Sequence, residues 1–145
     1  MKLLNFLKEE KIVSCGLVLT DNIKFLAVHP TFGTKWDIPK GMHEGGSYID
    51  TVLREVREEV GIDFSKYKSK IEYKGRYKYS EYKDLQIFLL VIDDLPQTSL
   101  MSCSSTFNAG NNRRLPEVDD YKYLKIGNFS FFNFSMKKIL EDVLR

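Results

Sequence analysis

The stretch Arg54-Glu55-Val56-Arg57-Glu58-Glu59-Val60-Gly61-Ile62 decides the fold. Read as helix, it sets Glu55, Glu58 and Glu59 at i, i+3 and i+4, so three carboxylates share a face opposite a Val52, Val56, Val60 stripe. Each like-charged pair costs ~0.2–0.5 kcal/mol, and acids near a helix C-terminus oppose the macrodipole at ~0.3–1 kcal/mol each. Two readings offset that cost. One is a solvated face laced with ion pairs such as Arg54 to Glu58. The other is a hard dication such as Mg²⁺, which needs one or two carboxylates and leaves coordination positions for phosphate oxygens.

Working outward, Ser47 reads as the N-cap of this helix, with Asp50 three residues on in a variant capping box, and Gly61 as its left-handed C-cap. Upstream, Ile12 to Thr20 and Ile23 to Val28 are β-branched runs joined by Asp21-Asn22, a hairpin pattern. His29 to Gly46 is rich in turn residues, with room for a short strand around Trp36 to Ile38. Downstream, Ile71 to Tyr79 alternates, with Ile71, Tyr73, Tyr77 and Tyr79 on one side and Glu72, Lys74, Arg76 and Lys78 on the other. Leu85 to Ile92 is nearly continuous apolar sequence, hence a strand buried on both faces, and it pairs with the preceding strand through Ser80 to Asp84. Gln97 to Pro116 shows no period and reads as a long loop. A last strand over Tyr121 to Ile126 and an amphipathic helix over Ser135 to Leu144 complete the chain. These elements predict an α+β fold: one domain over residues 1–145, with a mixed central sheet and helices on both faces.

Composition narrows the class. The 145 residues are 43% hydrophobic, with a formal charge of +2, nine Gly, four Pro and two Cys, which excludes disordered, collagen-like and disulfide-scaffold proteins. Cys15 and Cys103 show no metal-ligand spacing. The first apolar stretch ends at Leu7 and runs into Lys8, Glu9, Glu10 and Lys11, too short for a signal core, and no window approaches ~18 apolar residues. The expectation is a reduced, cytoplasmic protein with no membrane partner. The near-neutral charge argues against a DNA-coating role.

The passage Gly41 to Ile62 resembles the Nudix box of the Nudix hydrolases, whose pattern is Gly, five residues, Glu, seven residues, then Arg-Glu-aliphatic-any-Glu-Glu-any-Gly-aliphatic. The second half is present in full at Arg54, Glu55, Val56, Glu58, Glu59, Gly61 and Ile62. Trp36-Asp37-Ile38-Pro39-Lys40-Gly41 resembles the entry to the box, and the order of strands resembles the whole α/β/α Nudix fold. Twelve residues separate Gly41 from Arg54 where the family has thirteen, and the family's first Glu is missing. A deletion within the helix would rotate its start by about 100°, which places the missing residue in the loop near Gly46 and Ser47, with Glu44 as a partial substitute.

The resemblance implies a Mg²⁺-dependent pyrophosphohydrolase, with Mn²⁺ as a stand-in, acting on a nucleoside diphosphate linked to another moiety. It implies Glu55 and Glu59 as principal metal ligands, Glu58 as a ligand or as the acceptor of the water proton, and the Gly41 carbonyl in the same shell. Arg54 is read as orienting Glu55 or Glu58, or as a surface ion pair. Glu117 is the candidate base outside the box, with Asp119 and Asp120 as rivals. Lys40 is a candidate phosphate contact, and Trp36 stacks or packs. Lys66 to Lys83 holds six lysines and one arginine against two glutamates, interleaved with five tyrosines. That pattern suits an anionic, base-bearing ligand, with Tyr79 among its contacts, or else an amphipathic strand whose tyrosines face the core. A dinucleoside polyphosphate such as diadenosine tetraphosphate leads as substrate. The alternatives are an RNA 5′ end or cap, and a Nudix-like binding module that has lost turnover, which the shortened box favours.

Overall fold

The computed structural model describes residues 11–145; the apolar stretch to Leu7 and the charges Lys8, Glu9 and Glu10 after it lie outside the described residues. Strands β1 (Ile12–Thr20), β2 (Lys24–Pro30), β3 (Lys40–Met42), β4 (Glu72–Ser80), β5 (Lys83–Val91) and β8 (Val118–Lys125) form a mixed six-stranded sheet of order β4-β5-β1-β2-β8, with β3 also on β1. Helices α1 (Tyr48–Val60) and α2 (Phe134–Val143) cover its two faces. β5 runs parallel to β1 from Ile12↔Lys83 to Thr20↔Val91 and is buried on both faces, as its nearly continuous apolar run requires. On one face Val52, Leu53, Val56 and Val60 of α1 pack against Leu17, Leu19, Phe88 and Leu90; on the other Met136, Ile139 and Leu140 of α2 pack against Val18, Leu85 and Ile87. Each such burial contributes ~1.5–3 kcal/mol.

The first two strands turn where expected. Asn22 sits at φ 73, and Asp21 Oδ1 accepts the Ile23 and Lys24 N–H groups at 2.9 Å each. They do not continue as a hairpin, however: β1 and β2 pair only at Thr20↔Phe25 and then splay. Residues 36–42 fill the resulting wedge. Asp37 exchanges two backbone bonds with Val28 on β2, at 2.8 Å each, and Lys40, Gly41 and Met42 then pair with Gly16, Cys15 and Ser14 on β1. The short strand therefore lies at Lys40–Met42, with isolated bridges at Trp36 and Asp37 in place of a strand over Trp36 to Ile38. Gly16 permits the crossing, because a Cβ there would stand 2.9 Å from Ile38 Cδ1.

Three further expectations are corrected. Gln97 to Pro116 is not a structureless loop: β6 (Thr106–Asn108) and β7 (Arg114–Pro116) form a separate hairpin, closed through Asn111 and Asn112 at φ 53 and 61. Tyr73 does not share a side with Tyr77 and Tyr79. A bulge at Gly75, φ 131, shifts the register, so Tyr73 packs on Phe88 toward α1 while Tyr77 and Tyr79 pack toward α2. Only half of the capping box forms: the Asp50 N–H donates to Ser47 Oγ, but the Asp50 carboxylate pairs with Lys68 at 2.9 Å.

Candidate active site

The wedge segment and α1 build the site together. Gly41 lies beneath Glu55: a Cβ added there would fall 1.9 Å from the Glu55 carboxyl carbon, so glycine is what lets this side chain cross the strand. Arg54 bonds Glu55 Oε1 at 3.1 Å, donates to the Met42 carbonyl at 3.3 Å and reaches Glu44 at 3.7 Å. Of its two expected partners it takes Glu55, and Glu44 supports Arg54 from the loop.

Glu59 departs from the expected solvated face. It is 8% exposed, because its side chain turns into the wedge, where Oε1 accepts the Lys40 backbone N–H at 2.9 Å. Burial pushes its pKa up to about 8, against the Lys40 N–H bond and ammonium, while the Asp37 and Glu117 charges add to the rise. Burial and the Glu58 charge likewise push Glu55 above the ordinary carboxyl range; Arg54 opposes, and Glu117 and Glu44 add. Glu117, exposed just after β7, is therefore close enough for its charge to act on both box carboxylates, from the far end of the chain. Burial and then the Glu55 charge raise the Cys15 thiol to about 11, which keeps it neutral beneath the cluster.

The acids thus outnumber their cations: the charges of Glu58 and Glu117 act on Glu55 and that of Glu117 on Glu59, against Arg54 at Glu55 and the Lys40 ammonium at Glu59. The donors are carboxylate and carbonyl oxygens, which suit a hard divalent ion and not a thiophilic one. Among the described residues no three His, Cys, Asp or Glu side chains converge tightly enough to enclose an ion. Glu59 gives Oε1 to the Lys40 N–H and Glu55 gives Oε1 to Arg54, which leaves the second oxygen of each without these partners.

The remaining candidates lie around this centre. The Lys40 ammonium does not stand free for a phosphate; it pairs with Asp37 Oδ2 at 2.7 Å. Burial works against that charge, but Asp37 outweighs it and holds the pKa above the usual lysine value. Lys40 Nζ also lies 5.9 Å from the centre of the Tyr79 ring, and Lys83 Nζ lies 5.5 Å from it. Tyr79 is half-buried toward α2, where its hydroxyl accepts from Asn133 Nδ2. Trp36 is half-buried with Lys122 Nζ 4.2 Å above its ring and His29 5.1 Å away. Of the acids after Glu117, Asp119 pairs with His29 Nδ1 at 2.6 Å and Asp120 Oδ1 accepts the Tyr121 N–H.

Sequence reasoning missed the strap that holds the C-terminal end of α1. The Ser104 N–H donates to the Glu58 carbonyl at 2.7 Å, the Ser102 N–H to the Val60 carbonyl at 3.0 Å, and the Tyr121 hydroxyl to the Glu59 carbonyl. Three carbonyls that a helix end leaves open are thereby closed by distant residues. The signal was faint: serines in an aperiodic stretch and a tyrosine in a strand.

A β-sheet wedge that presents Lys40-Gly41 to a capped glutamate helix defines a class of protein, and comparison with known proteins agrees with it. The NUDIX domain model matches residues 10–140. An uncharacterized 17.7 kDa protein in the e-segB intergenic region of Enterobacteria phage T4 is 33% identical over 120 residues, covering 80% of this chain and 75% of that one. Among solved structures, the E. coli dihydroneopterin triphosphate pyrophosphohydrolase superposes with a TM-score of 0.68 at 18% identity, covering 94% of this chain and 98% of the other. The NUDIX domain of Shewanella oneidensis NrtR, complexed with ADP ribose, gives 0.66 at 15%, covering 92% and 86%. The chain belongs to the Nudix family. By class it is a pyrophosphohydrolase.

Proposed function

We propose that this hydrolase cleaves the anhydride of a nucleoside diphosphate linked to another moiety, with a dinucleoside polyphosphate such as diadenosine tetraphosphate as leading substrate. The observation that carries this reading is the surplus of carboxylates about Glu55 and Glu59, opposed by Arg54 at the first and by Lys40 at the second. Glu55 and Glu59 would hold Mg²⁺, or Mn²⁺ in its place, with Glu58 and the Gly41 carbonyl completing the set. Bound there, the ion supplies polarisation of the phosphoryl oxygens and acidification of a water. Arg54 keeps Glu55 in place, and the Lys40 N–H does the same for Glu59. Glu58 accepts the proton of the attacking water, with Glu117 as its rival. The Lys40 ammonium meets phosphate by exchanging Asp37 for it, and Tyr79 and Trp36 border the path.

An RNA 5′ end is the second reading, favoured by the placement of β4 at the sheet edge with Lys74, Arg76 and Lys78 exposed. The test is a panel of nucleotides and of capped and triphosphorylated RNA incubated with Mg²⁺, following monophosphate or diphosphate release. Turnover is expected, and Glu59→Gln, which keeps an acceptor for the Lys40 N–H, removes at least about 100-fold of it with the fold intact. An inactive wild type across the panel would instead make this a nucleotide-binding module.

A further inference from the structure

Pro30-Thr31-Phe32-Gly33 is a tight turn, closed by the Gly33 N–H donating to the Pro30 carbonyl at 2.8 Å. Its third residue, Phe32, stands at φ 66. That place in such a turn belongs to Gly or Asn, which reach positive φ at little steric cost. The chain has a glycine one residue later, at Gly33, where no positive φ is needed. Phe32 is thus strained, and it gains no compensating burial, being 70% exposed. Its ring meets Phe107 edge-on, with centroids 6.1 Å apart and planes at 87°. An edge-to-face pair of this kind leaves ring face available.

Both rings hang from backbone that brackets Glu117. The Thr31 N–H donates to the Glu117 carbonyl at 3.0 Å, and the Thr31 hydroxyl donates to the Pro116 carbonyl. On the other side, the Glu117 N–H donates to the Ser105 carbonyl at 3.0 Å, two residues before Phe107. Arg114 stiffens the hairpin that carries Phe107, donating to Thr106 Oγ1 at 3.0 Å and to its carbonyl at 3.2 Å. Strain that costs stability and is held in place by three backbone-directed bonds points to a use. The rim beside a phosphate-cleaving centre needs a surface for the part of the substrate that is not phosphate.

We propose that Phe32, backed edge-on by Phe107, is the stacking platform for the nucleobase of the substrate. The platform rests on the pyrophosphohydrolase reading and names what lies beyond the anhydride. A base has an aromatic face whatever its identity, so the platform selects nucleotides over base-free diphosphates without choosing among bases.

The probe is an etheno-adenine nucleotide with a methylene in place of the bridging anhydride oxygen, its binding followed by fluorescence quenching. Wild-type protein quenches it. Phe32→Gly weakens binding roughly 5- to 150-fold, the worth of one base stack, while its thermal midpoint holds or rises because glycine relieves the positive φ. Phe32→Trp keeps binding, Phe107→Ala weakens it as a second line independent of the turn, and a base-free ribose diphosphate binds wild type and Phe32→Gly equally. Equal affinity of wild type and Phe32→Gly for the nucleotide overturns the platform, as does equal weakening toward the base-free ligand or a wild type that does not bind the probe. A protein that turns over nothing yet quenches in a Phe32-dependent way defeats the hydrolytic reading alone; one that turns over nucleotides with Phe32-independent binding defeats the platform alone.

Discussion

The Glu55 carboxyl lies directly over the Gly41 Cα, close enough that a single added carbon would fall 1.9 Å from both its Cδ and its Oε2. The obstacle is the far end of a flexible side chain, and Gly41 does not occupy a left-handed conformation. Gly41→Ala therefore leaves the fold in place and moves Glu55. We expect a thermal midpoint close to wild type together with a fall in turnover of about 100-fold, the scale of a 1 Å misplacement. A variant that melts early with unchanged rate per folded molecule would contradict this.

The strap on α1 makes a stability prediction. Tyr121→Phe removes the hydroxyl that donates to the Glu59 carbonyl. The loss is ~0.5–1.5 kcal/mol, seen as a lower thermal midpoint, and amide exchange quickens first over the last turn of α1. Unchanged protection across Val56 to Val60 would show that the serines hold that end alone.

The Asp21 turn makes an acid prediction. Its carboxylate accepts the Lys24 and Ile23 N–H groups and pairs with Lys24 at 3.1 Å, which lowers its pKa from 3.8 to about 2. Because the folded value lies below the unfolded one, this contribution is complete above pH 3.8 and is lost as pH falls from there toward 2. Asp21→Asn keeps the turn acceptor and removes the titration. Its unfolding curve should be flatter than wild type between pH 4 and 2, and parallel curves would sink the assignment.

How much was legible in the sequence follows from how many signals agree at each element. For α1, the Ser47 cap, the valine stripe and Gly61 at φ 79 all point the same way, and β5 announces itself by an apolar run that only a doubly covered strand explains. The β6–β7 hairpin was illegible because its register rests on two asparagines at positive φ in an otherwise polar, aperiodic stretch. The Gly75 bulge was hidden because alternation was read through it as though the ladder were regular. In the site, spacing brought Glu55, Glu58 and Glu59 to one helix. Which of them turns inward depends on the Lys40 N–H, a backbone donor that leaves no mark in composition. The Asp37–Lys40 pair was likewise invisible, since it forms within a segment whose course follows only from the splaying of β1 and β2.

Mn²⁺ titration followed by electron paramagnetic resonance, with wild type, Glu55→Gln and Glu59→Gln compared at one pH, is the most direct test of a cation held among these acids. Saturable binding by the wild type, weakened at least tenfold in both variants while all three proteins melt alike, is the expected result. Identical isotherms for all three, or free Mn²⁺ signal undiminished by the wild type, would mean that the crowded carboxylates serve no ion and that the hydrolytic centre lies elsewhere.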